Sequence, residues 1–320
     1  MKNNLKLKNF PISFFAPVLG FMGFALAFQK VESLFSLSNQ ISLLLLGVTI
    51  ILFVMVLSIY GLKFLFHRKD IEKEYQHPVK INFFPLISKT LLVMSVMFLG
   101  IDMDASKYLW IVGVIINTIF SFAILGEWIT KEHFKIEHMS PAWFIPVVGN
   151  LIIPIAGVQH FSPEISWFFF SAGVVWMFIL TTIVLYRLMF HDPLPKKLIP
   201  TFFILFAAPA IAFIAYFKLT ENFDGFAHIL YYFATFLFFL IAFQWKLFLN
   251  IKFYISWWAY TFPLAAFSLA TTQMYHVTNI YGFKIFATAL LILLALFVVM
   301  LVYLTLRSIS RKEICIEEDE

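Results

Sequence analysis

The sequence has few charged residues and a single cysteine. Of its 320 residues, 13% are charged and 62% are hydrophobic, whereas soluble domains carry about 25% charged residues. So few charges cannot cover a soluble surface, which excludes a water-soluble enzyme. The lone Cys315 excludes a disulfide framework and a cysteine metal cluster. Glycine-rich phosphate loops, His-Glu-x-x-His motifs and nucleophile elbows are also absent, so we expect no cofactor, metal or nucleic-acid partner.

Ten apolar stretches are long enough to cross a hydrocarbon core of about 30 Å, which takes about 20 helical residues. Their length, and the 42 phenylalanines among Leu, Ile and Val, favour helices over the strands of an outer-membrane barrel. The sequence predicts an all-α integral membrane protein with ten transmembrane helices in five hairpins. The predicted spans are 11–31, 41–66, 81–101, 108–129, 141–159, 164–190, 199–218, 225–249, 254–275 and 282–307.

Basic residues are distributed unequally between the two sides of these spans. Of the 23 Lys and Arg, eighteen flank the termini and the loops after even-numbered spans, four flank the other side, and Lys89 lies inside the third span. The positive-inside rule then puts both termini in the cytoplasm, and the long helices favour the inner membrane of a bacterium. The chain divides into a cytoplasmic N-terminus at 1–10, a ten-helix channel domain at 11–307 and a cytoplasmic tail at 308–320.

Prolines occur inside every odd-numbered span, and the even-numbered spans have none beyond one at the start of the sixth. Proline removes a helical hydrogen bond and kinks the helix, and in lipid the freed carbonyl must find another partner. Helices surrounded by protein tolerate this best. We therefore predict five proline-kinked inner helices around a central pore and five outer helices. The kink residues are Pro17, Pro85, Pro146, Pro209 and Pro263.

Aromatic residues recur just before these prolines, where they would narrow a central passage. The candidates for the pore lining on this pattern are Phe14, Phe84, Phe144 and Phe206, and Phe262 directly precedes the last proline. Simple packing stays open for each of them, because most phenylalanines in membrane helices pack. Gly20 either contributes pore width or allows two helices to approach closely.

Several segments resemble one known family. His-Pro-Val-Lys-Ile-Asn-Phe-Phe at 77–84 resembles the start of the third helix in plant slow-type anion channels. It also resembles that of their bacterial relatives, the tellurite-resistance/C4-dicarboxylate transporter (TehA-like) family. Trp-Trp-Ala-Tyr-Thr-Phe-Pro-Leu at 257–264 resembles the ninth helix of that family, Gly-Glu-Trp at 126–128 the end of the fourth, and 11–20 the first.

This resemblance implies a homotrimer in membrane lipid, with a separate anion pore through the five inner helices of each protomer. In the family a phenylalanine on the ninth helix plugs the pore, and Phe262 holds the matching position. A phenyl ring can close a narrow pore by steric block and by dewetting. The resemblance thus makes Phe262 the expected gate.

Lys89 is the most informative charge in the sequence. It lies about nine residues into the third span, which is roughly 13 Å of helix rise. A lysine at the centre of a span costs about 2.5–3.5 kcal/mol, so such residues face a water-filled path or a partner. We expect Lys89 to face the pore and attract anions; snorkelling, or bonding to carbonyls freed by Pro85, is the alternative. Asn150 could donate to a passing anion or tie the broken fifth span to a neighbour.

Acidic residues are missing from the middle of every predicted span, and all eight His lie at span ends or in loops. Proton-coupled carriers depend on such groups, so their absence favours passive conduction. Together with the resemblance, this predicts a phenylalanine-gated channel for small monovalent anions such as chloride or nitrate. The alternative is a carrier of C4-dicarboxylates such as malate, or an exporter of oxyanions such as tellurite or sulfite. A dicarboxylate should need two cationic groups, and one mid-span lysine is present.

Overall fold

The computed structural model describes residues 7–249 and 251–315, and within them regular structure is entirely helical, without a strand. Long apolar runs form helices because a helix satisfies every backbone polar group internally. The α-helices are α1 (Phe15–Leu34), α2 (Gln40–Phe66), α3 (Arg68–Gln76), α4 (Leu86–Phe98), α5 (Met103–Thr130), α6 (Phe144–Val148), α7 (Ile153–His160), α8 (Pro163–Phe190), α9 (Ile204–Thr220), α10 (Gly225–Phe243), α11 (Thr261–Thr278) and α12 (Tyr281–Ser310).

Within the described residues, nine helical stretches are long and apolar enough to cross a membrane. They correspond to nine of the ten predicted spans; the all-helical fold is confirmed, and these stretches are consistent with an integral membrane protein. Their bounds are Ile12–Leu34, Gln40–Phe66, Lys80–Phe98, Met103–Thr130, Pro141–His160, Pro163–Phe190, Lys196–Thr220, Gly225–Phe243 and Tyr281–Ser310.

The ninth predicted span, 254–275, is not among these nine stretches. It forms a 3-10 segment, Ile255–Tyr260, followed by α11, whose polar side chains, among them several hydroxyls, Gln273 and His276, lower its apolarity. Those hydroxyls are shielded from lipid: Ser268 and Thr271 are buried, and the Ser268 hydroxyl donates to the Ala287 carbonyl at 3.2 Å. Because neighbouring helices cover α11, it does not need the apolar surface that marks the other spans.

Burial separates the odd-numbered from the even-numbered stretches. The first, third, fifth and seventh stretches are 72–78% buried, whereas the even-numbered stretches and the last one are 28–39% buried. Most residues of α11 are buried as well. Alternate helices along the chain are therefore enclosed by protein, and those between them present apolar side chains outward.

The enclosed helices contact one another in a closed order, which we call the helix ring: α1, α4, the α6–α7 segment, α9 and α11. Contacts run from α1 to α4, from α4 to α7, from α7 to α9, from α9 to α11, and from α11 back to α1. Each remaining long helix packs on the ring member that precedes it in the chain: α2 on α1, α5 on α4, α8 on α7, α10 on α9 and α12 on α11. The ring thus surrounds a central space.

A 3-10 segment leads into each member of the helix ring, and a proline lies near each junction. Pro17, Pro146 and Pro263 are in the first turn of α1, α6 and α11, and Pro85 is the N-cap of α4. Pro209 alone lies deeper, in the second turn of α9. Proline costs little in a first turn, where the amide has no helical acceptor. Most of the predicted kink prolines therefore mark where the α-helix begins.

Two local features differ from the sequence prediction: one helix was not predicted, and another ends earlier than predicted. The charged helix α3 was not predicted, because it is too short and polar to register as a span; it buries Ile71 and Glu74 on one face. Helix α10 ends at Phe243, six residues before the predicted end of span 8 at 249. The predicted terminal segments, 1–10 and 308–320, lie partly outside the described residues.

Candidate functional site

Side chains from all five members of the helix ring line one cavity of about 80 Å³, enough space for a few water molecules. We call it the ring cavity. The lining consists of Ala16 and Leu19 from α1; Phe83, Leu86 and Lys89 from α4 and its 3-10 segment; Phe144, Ile145, Val148, Gly149 and Ile152 from the α6–α7 segment; Ile204, Ala207, Ala208 and Ile211 from α9; and Trp258, Ala259, Phe262 and Pro263 from α11 and its 3-10 segment.

The ring cavity is apolar apart from one ammonium group. Lys89 is the one charged side chain among its described lining residues. Apolar walls offer a passing ion no tight ligand, and they weaken screening, so a single fixed charge acts over the whole cavity. Lys89 is thus the one group of the described lining that could attract an anion by its charge.

The Lys89 side chain is 2% exposed and is held on two sides. It lies directly across Gly149, and its Nζ donates a hydrogen bond to Oδ1 of Asn117 on α5. Among the described residues no carboxylate lies within ion-pair distance of it. Lys89 is therefore a buried lysine whose described hydrogen-bond partner is a neutral amide.

Asn117 is a site residue that the sequence reasoning missed. It is fully buried, and its Nδ2 donates to Asn150 Oδ1 at 2.5 Å. Asn150 thus accepts a hydrogen bond that ties the α6–α7 segment to α5, and its donation to a passing anion stays a prediction. The sequence feature that could have identified Asn117 is its position in the middle of the fourth predicted span. Polar side chains at that depth are rare, as is the lysine in the third span.

Phe262 lines the ring cavity at the first turn of α11 and packs against α1. A Cβ added at Gly23 would lie 3.0 Å from Phe262 Cδ2, so the phenyl ring rests directly on that glycine. One turn earlier, Gly20 faces the Thr261 side chain in the same way. The two glycines of α1 therefore allow close approach of α11, and Gly20 serves this contact rather than the cavity lining.

The other candidate phenylalanines are divided between the cavity and the packing around it. Phe144 lines the ring cavity. Phe206 instead points between helices, with its ring 5.5 Å from that of Phe238 and 5.8 Å from that of Phe267. Phe14 stacks on Phe10. Simple packing accounts for Phe14 and Phe206.

Phe84 also packs outside the ring cavity, with its ring 5.4 Å from that of Tyr75 and 6.3 Å from that of Tyr60. Its neighbour Phe83 lines the cavity in its place. Consecutive helical residues point in directions roughly 100° apart. The aromatic pattern before Pro85 therefore indicated a cavity-lining phenylalanine in this turn. It did not indicate whether Phe83 or Phe84 faces the cavity.

A second buried lysine, Lys63 near the end of α2, lies outside the helix ring. It donates to the Phe10 carbonyl at 2.8 Å and pairs with Glu74 of α3 at 3.0 Å. The Tyr60 hydroxyl donates to the same carboxylate at 2.9 Å. This group fastens α3 and the N-terminal segment to α2, and it was not predicted from the sequence.

An open cleft of about 900 Å³ lies beside that group, between α3 and the end of α5. Charges of both signs line it, with Arg68 and Lys131 opposed by Glu72 and Glu127. Burial, together with the carboxylate of Glu127, raises the pKa of Tyr75 in its wall. The cleft is larger than the ring cavity. Its mixed charges give it no preference for anions, and its lining residues come from one side of the bundle.

Known proteins match nearly the whole chain. A family model described as SLAC1, voltage-dependent anion channel, matches residues 9–306. The S-type anion channel SLAH3 of Arabidopsis thaliana is 31% identical over 310 residues, which are 93% of this chain and 49% of the plant protein. An uncharacterized transporter of Methanocaldococcus jannaschii is 29% identical over 304 residues, 87% of this chain and 88% of that protein.

A tellurite resistance protein TehA homolog of Haemophilus influenzae is 25% identical over 299 residues, 92% of this chain and 90% of that protein. The chain thus spans about half the length of the plant channel and most of the archaeal and bacterial relatives. These matches confirm the resemblance drawn from the helix motifs. The family consists of anion channels and transporters, not enzymes, and the chain belongs to it: this is a membrane protein of the SLAC1/TehA family.

Proposed function

We propose that this protein is a passive anion channel that conducts small monovalent anions, such as chloride or nitrate, through the ring cavity. The observation that carries the proposal is a cavity to which all five ring members contribute, with the Lys89 ammonium as the one charge among its described lining residues. The walls offer few strong ligands, which suits an ion that must leave as readily as it enters.

The proposal includes ten membrane crossings in five hairpins, with α11 as the ninth crossing, and a pore surrounded by the helix ring. It is supported by the packing of α11 between α1 and α9 and by the packing of each outer helix on the ring member before it. Ten crossings return both termini to one side, and the excess of Lys and Arg makes that side the cytoplasm of a cell with this protein in its inner membrane. Assembly as a homotrimer is proposed from the family resemblance.

Phe262 is the proposed gate. Its ring lines a cavity of only about 80 Å³, and it rests on Gly23 with no room to withdraw in that direction. A phenyl ring in so narrow an apolar passage blocks it both by bulk and by excluding water. Removing the ring should leave a wider, wetter path past Lys89.

The test is anion current across a voltage-clamped membrane, with wild type beside Phe262→Ala. We expect a small wild-type current and at least a tenfold larger current in the variant, reversing where the chloride or nitrate gradient predicts. Phe206→Ala is the matched control: it also removes a phenylalanine just before a ring-helix proline, but from packing outside the cavity. A Phe262→Ala current no larger than that of the control would count against the gate.

The second candidate is a carrier for C4-dicarboxylates or an exporter of oxyanions, and the Haemophilus relative named for tellurite resistance supports it. A dicarboxylate calls for two cations, whereas the described lining has one. A carrier would show saturable, gradient-coupled malate uptake, or tellurite or sulfite export, with no current in wild type or Phe262→Ala. That result, with both proteins present in the membrane, would replace the channel proposal.

A further inference from the structure

We propose that Asn117, on the outer helix α5, is a positioning residue that determines anion selectivity. It holds Lys89 at the cavity wall through a neutral acceptor, so that the ammonium charge stays available to a permeating anion. This role rests on the proposed anion pore: Asn117 would keep the Lys89 side chain where a permeating anion can reach it.

Both ends of the Asn117 amide are used. Its Oδ1 accepts from Lys89 Nζ, while its Nδ2 donates to Asn150 Oδ1 at 2.5 Å. The Ser88 hydroxyl, 3.4 Å from Oδ1, donates to the Pro85 carbonyl at 2.8 Å. A donor on one side and an acceptor on the other fix which way the amide faces. Asn117 is 0% exposed, so protein alone holds it. An outer helix thus reaches two members of the helix ring, α4 and the α6–α7 segment.

Gly149 confines the lysine from the opposite side. A Cβ built on Gly149 would overlap Cε and Nζ of Lys89. The long, flexible lysine side chain is therefore restricted to the path between Gly149 and Asn117. Both Lys89 and Gly149 line the ring cavity, so this path runs along its wall.

The chemistry of the acceptor decides what the Lys89 charge can do. A buried ammonium without any acceptor is strongly disfavoured, whereas one beside a carboxylate forms an ion pair whose two charges cancel at a distance. An amide oxygen accepts one N–H of Lys89 and adds no negative charge of its own. A protonated Lys89 therefore keeps its positive charge at the wall of the ring cavity, where a permeating anion would be its counter-charge.

The test replaces the neutral amide of Asn117 with a carboxylate of almost the same shape. Asn117→Asp is made in the Phe262→Ala background, where current is expected to be large, and purified protein is studied in a planar bilayer under a potassium chloride gradient. We expect chloride conductance to fall at least tenfold and the reversal potential to move toward that of a non-selective pore. Asn117→Gln, which keeps the amide, should recover a substantial part of the chloride selectivity.

Ser121→Ala is the control for a purely structural role of α5. The Ser121 hydroxyl lies one helical turn from Asn117 and donates to the Pro146 carbonyl at 2.6 Å, so its loss removes another bond between α5 and the α6–α7 segment without touching Lys89. The reversal potential of Ser121→Ala should equal that of the parent. A selectivity change as large as that of Asn117→Asp would show that any weakening of this contact suffices, and would overturn the proposal.

A double-mutant cycle separates positioning from folding. Asn117→Leu alone should reduce chloride conductance, but it should add nothing in a Lys89→Met background, because no ammonium remains to be held. Equal losses in both backgrounds would overturn the positioning role. If Lys89→Met loses selectivity while Asn117→Asp keeps it, the Asn117 proposal fails and the pore proposal stands. If the Phe262→Ala parent carries no anion current, the pore proposal fails, and this inference fails with it.

Discussion

Two lysines of the described residues are buried about equally, and their surroundings differ. Lys63 is 1% exposed and meets a carboxylate, a backbone carbonyl and an aromatic ring. Lys89 is 2% exposed and meets an asparagine oxygen. The first charge is cancelled inside the protein where α2, α3 and the N-terminal segment meet. The second remains uncompensated at the wall of the ring cavity.

Burial alone therefore does not separate a lysine that is neutralised within the protein from one that we propose to act on a permeating anion. A buried ion pair adds little net stability, but removing one partner is costly because it leaves the other charge isolated. A buried lysine without an acid is itself unfavourable and persists where a function requires it. Neutralising the two lysines should therefore damage different properties of the protein.

The largest expected effect is on stability, from Lys63→Met. The change leaves the Glu74 carboxylate buried without its cation and the Phe10 carbonyl without its donor. Breaking such a pair costs about 3–5 kcal/mol, so the thermal midpoint in detergent should fall sharply. The double variant Lys63→Met/Glu74→Gln should recover part of the loss, because no isolated charge remains. A single variant as stable as wild type would remove the distinction between the lysines.

Lys89→Met should affect conduction instead. We expect a chloride current at least tenfold lower in the Phe262→Ala background, because the cavity loses its one fixed charge among the described lining residues. The thermal midpoint should change little, since removing a buried lysine without an acidic partner is offset by the loss of the donor to Asn117 Oδ1. Bilayer recording and a melting curve on the same preparation give both values. Unchanged conductance and selectivity would rule out a pore role for Lys89.

Tyr60→Phe should weaken the Lys63 site by a smaller amount. It removes the hydrogen bond of 2.9 Å to Glu74 and keeps the ion pair. Loss of one hydrogen bond to a charged group costs about 1.5–3 kcal/mol, so the midpoint should drop by less than in Lys63→Met, without a change in current. Tyr303→Phe, on an exposed ring of α12, is the control and should leave the midpoint unchanged. Altered anion selectivity in Tyr60→Phe would couple the two sites and contradict their separation.

Gly149→Ala should disturb the Lys89 site by the smallest amount. The added methyl group pushes the lysine side chain off its path, so chloride conductance should fall about threefold while the charge itself is kept, which corresponds to less than 1 kcal/mol. Gly61→Ala is the matched control, because nothing lies within 4 Å of a Cβ at that position. Equal conductance in the two variants would mean that the position of the Lys89 side chain does not matter.

Much of the fold was predictable from sequence because its determinants are local. Apolar length predicted nine of the stretches, and prolines at alternate spans predicted which helices protein encloses. The ninth span was placed correctly as a helix, but its polar side chains keep it out of the apolar set. Helix α3 escaped notice because its single buried face is too short to produce a clear pattern.

The site was only partly predictable. Lys89, Phe144 and Phe262 line the ring cavity, while Phe14, Phe84, Phe206 and Asn150 make other contacts. Proximity to a proline identifies the right turn of a helix. It does not say which of several neighbouring side chains faces inward, because that depends on the rotation of the helix about its axis.

The sequence by itself determined that this chain is a helical membrane protein of an anion channel family, with one lysine deep in an otherwise apolar span. Those properties follow from composition, spacing and local motifs. Only the tertiary structure decided that Asn117, 28 residues further along the chain, receives the Lys89 hydrogen bond and that Gly149 makes room for the side chain. Contacts between three separate helical segments depend on how the helices pack, which no local pattern encodes.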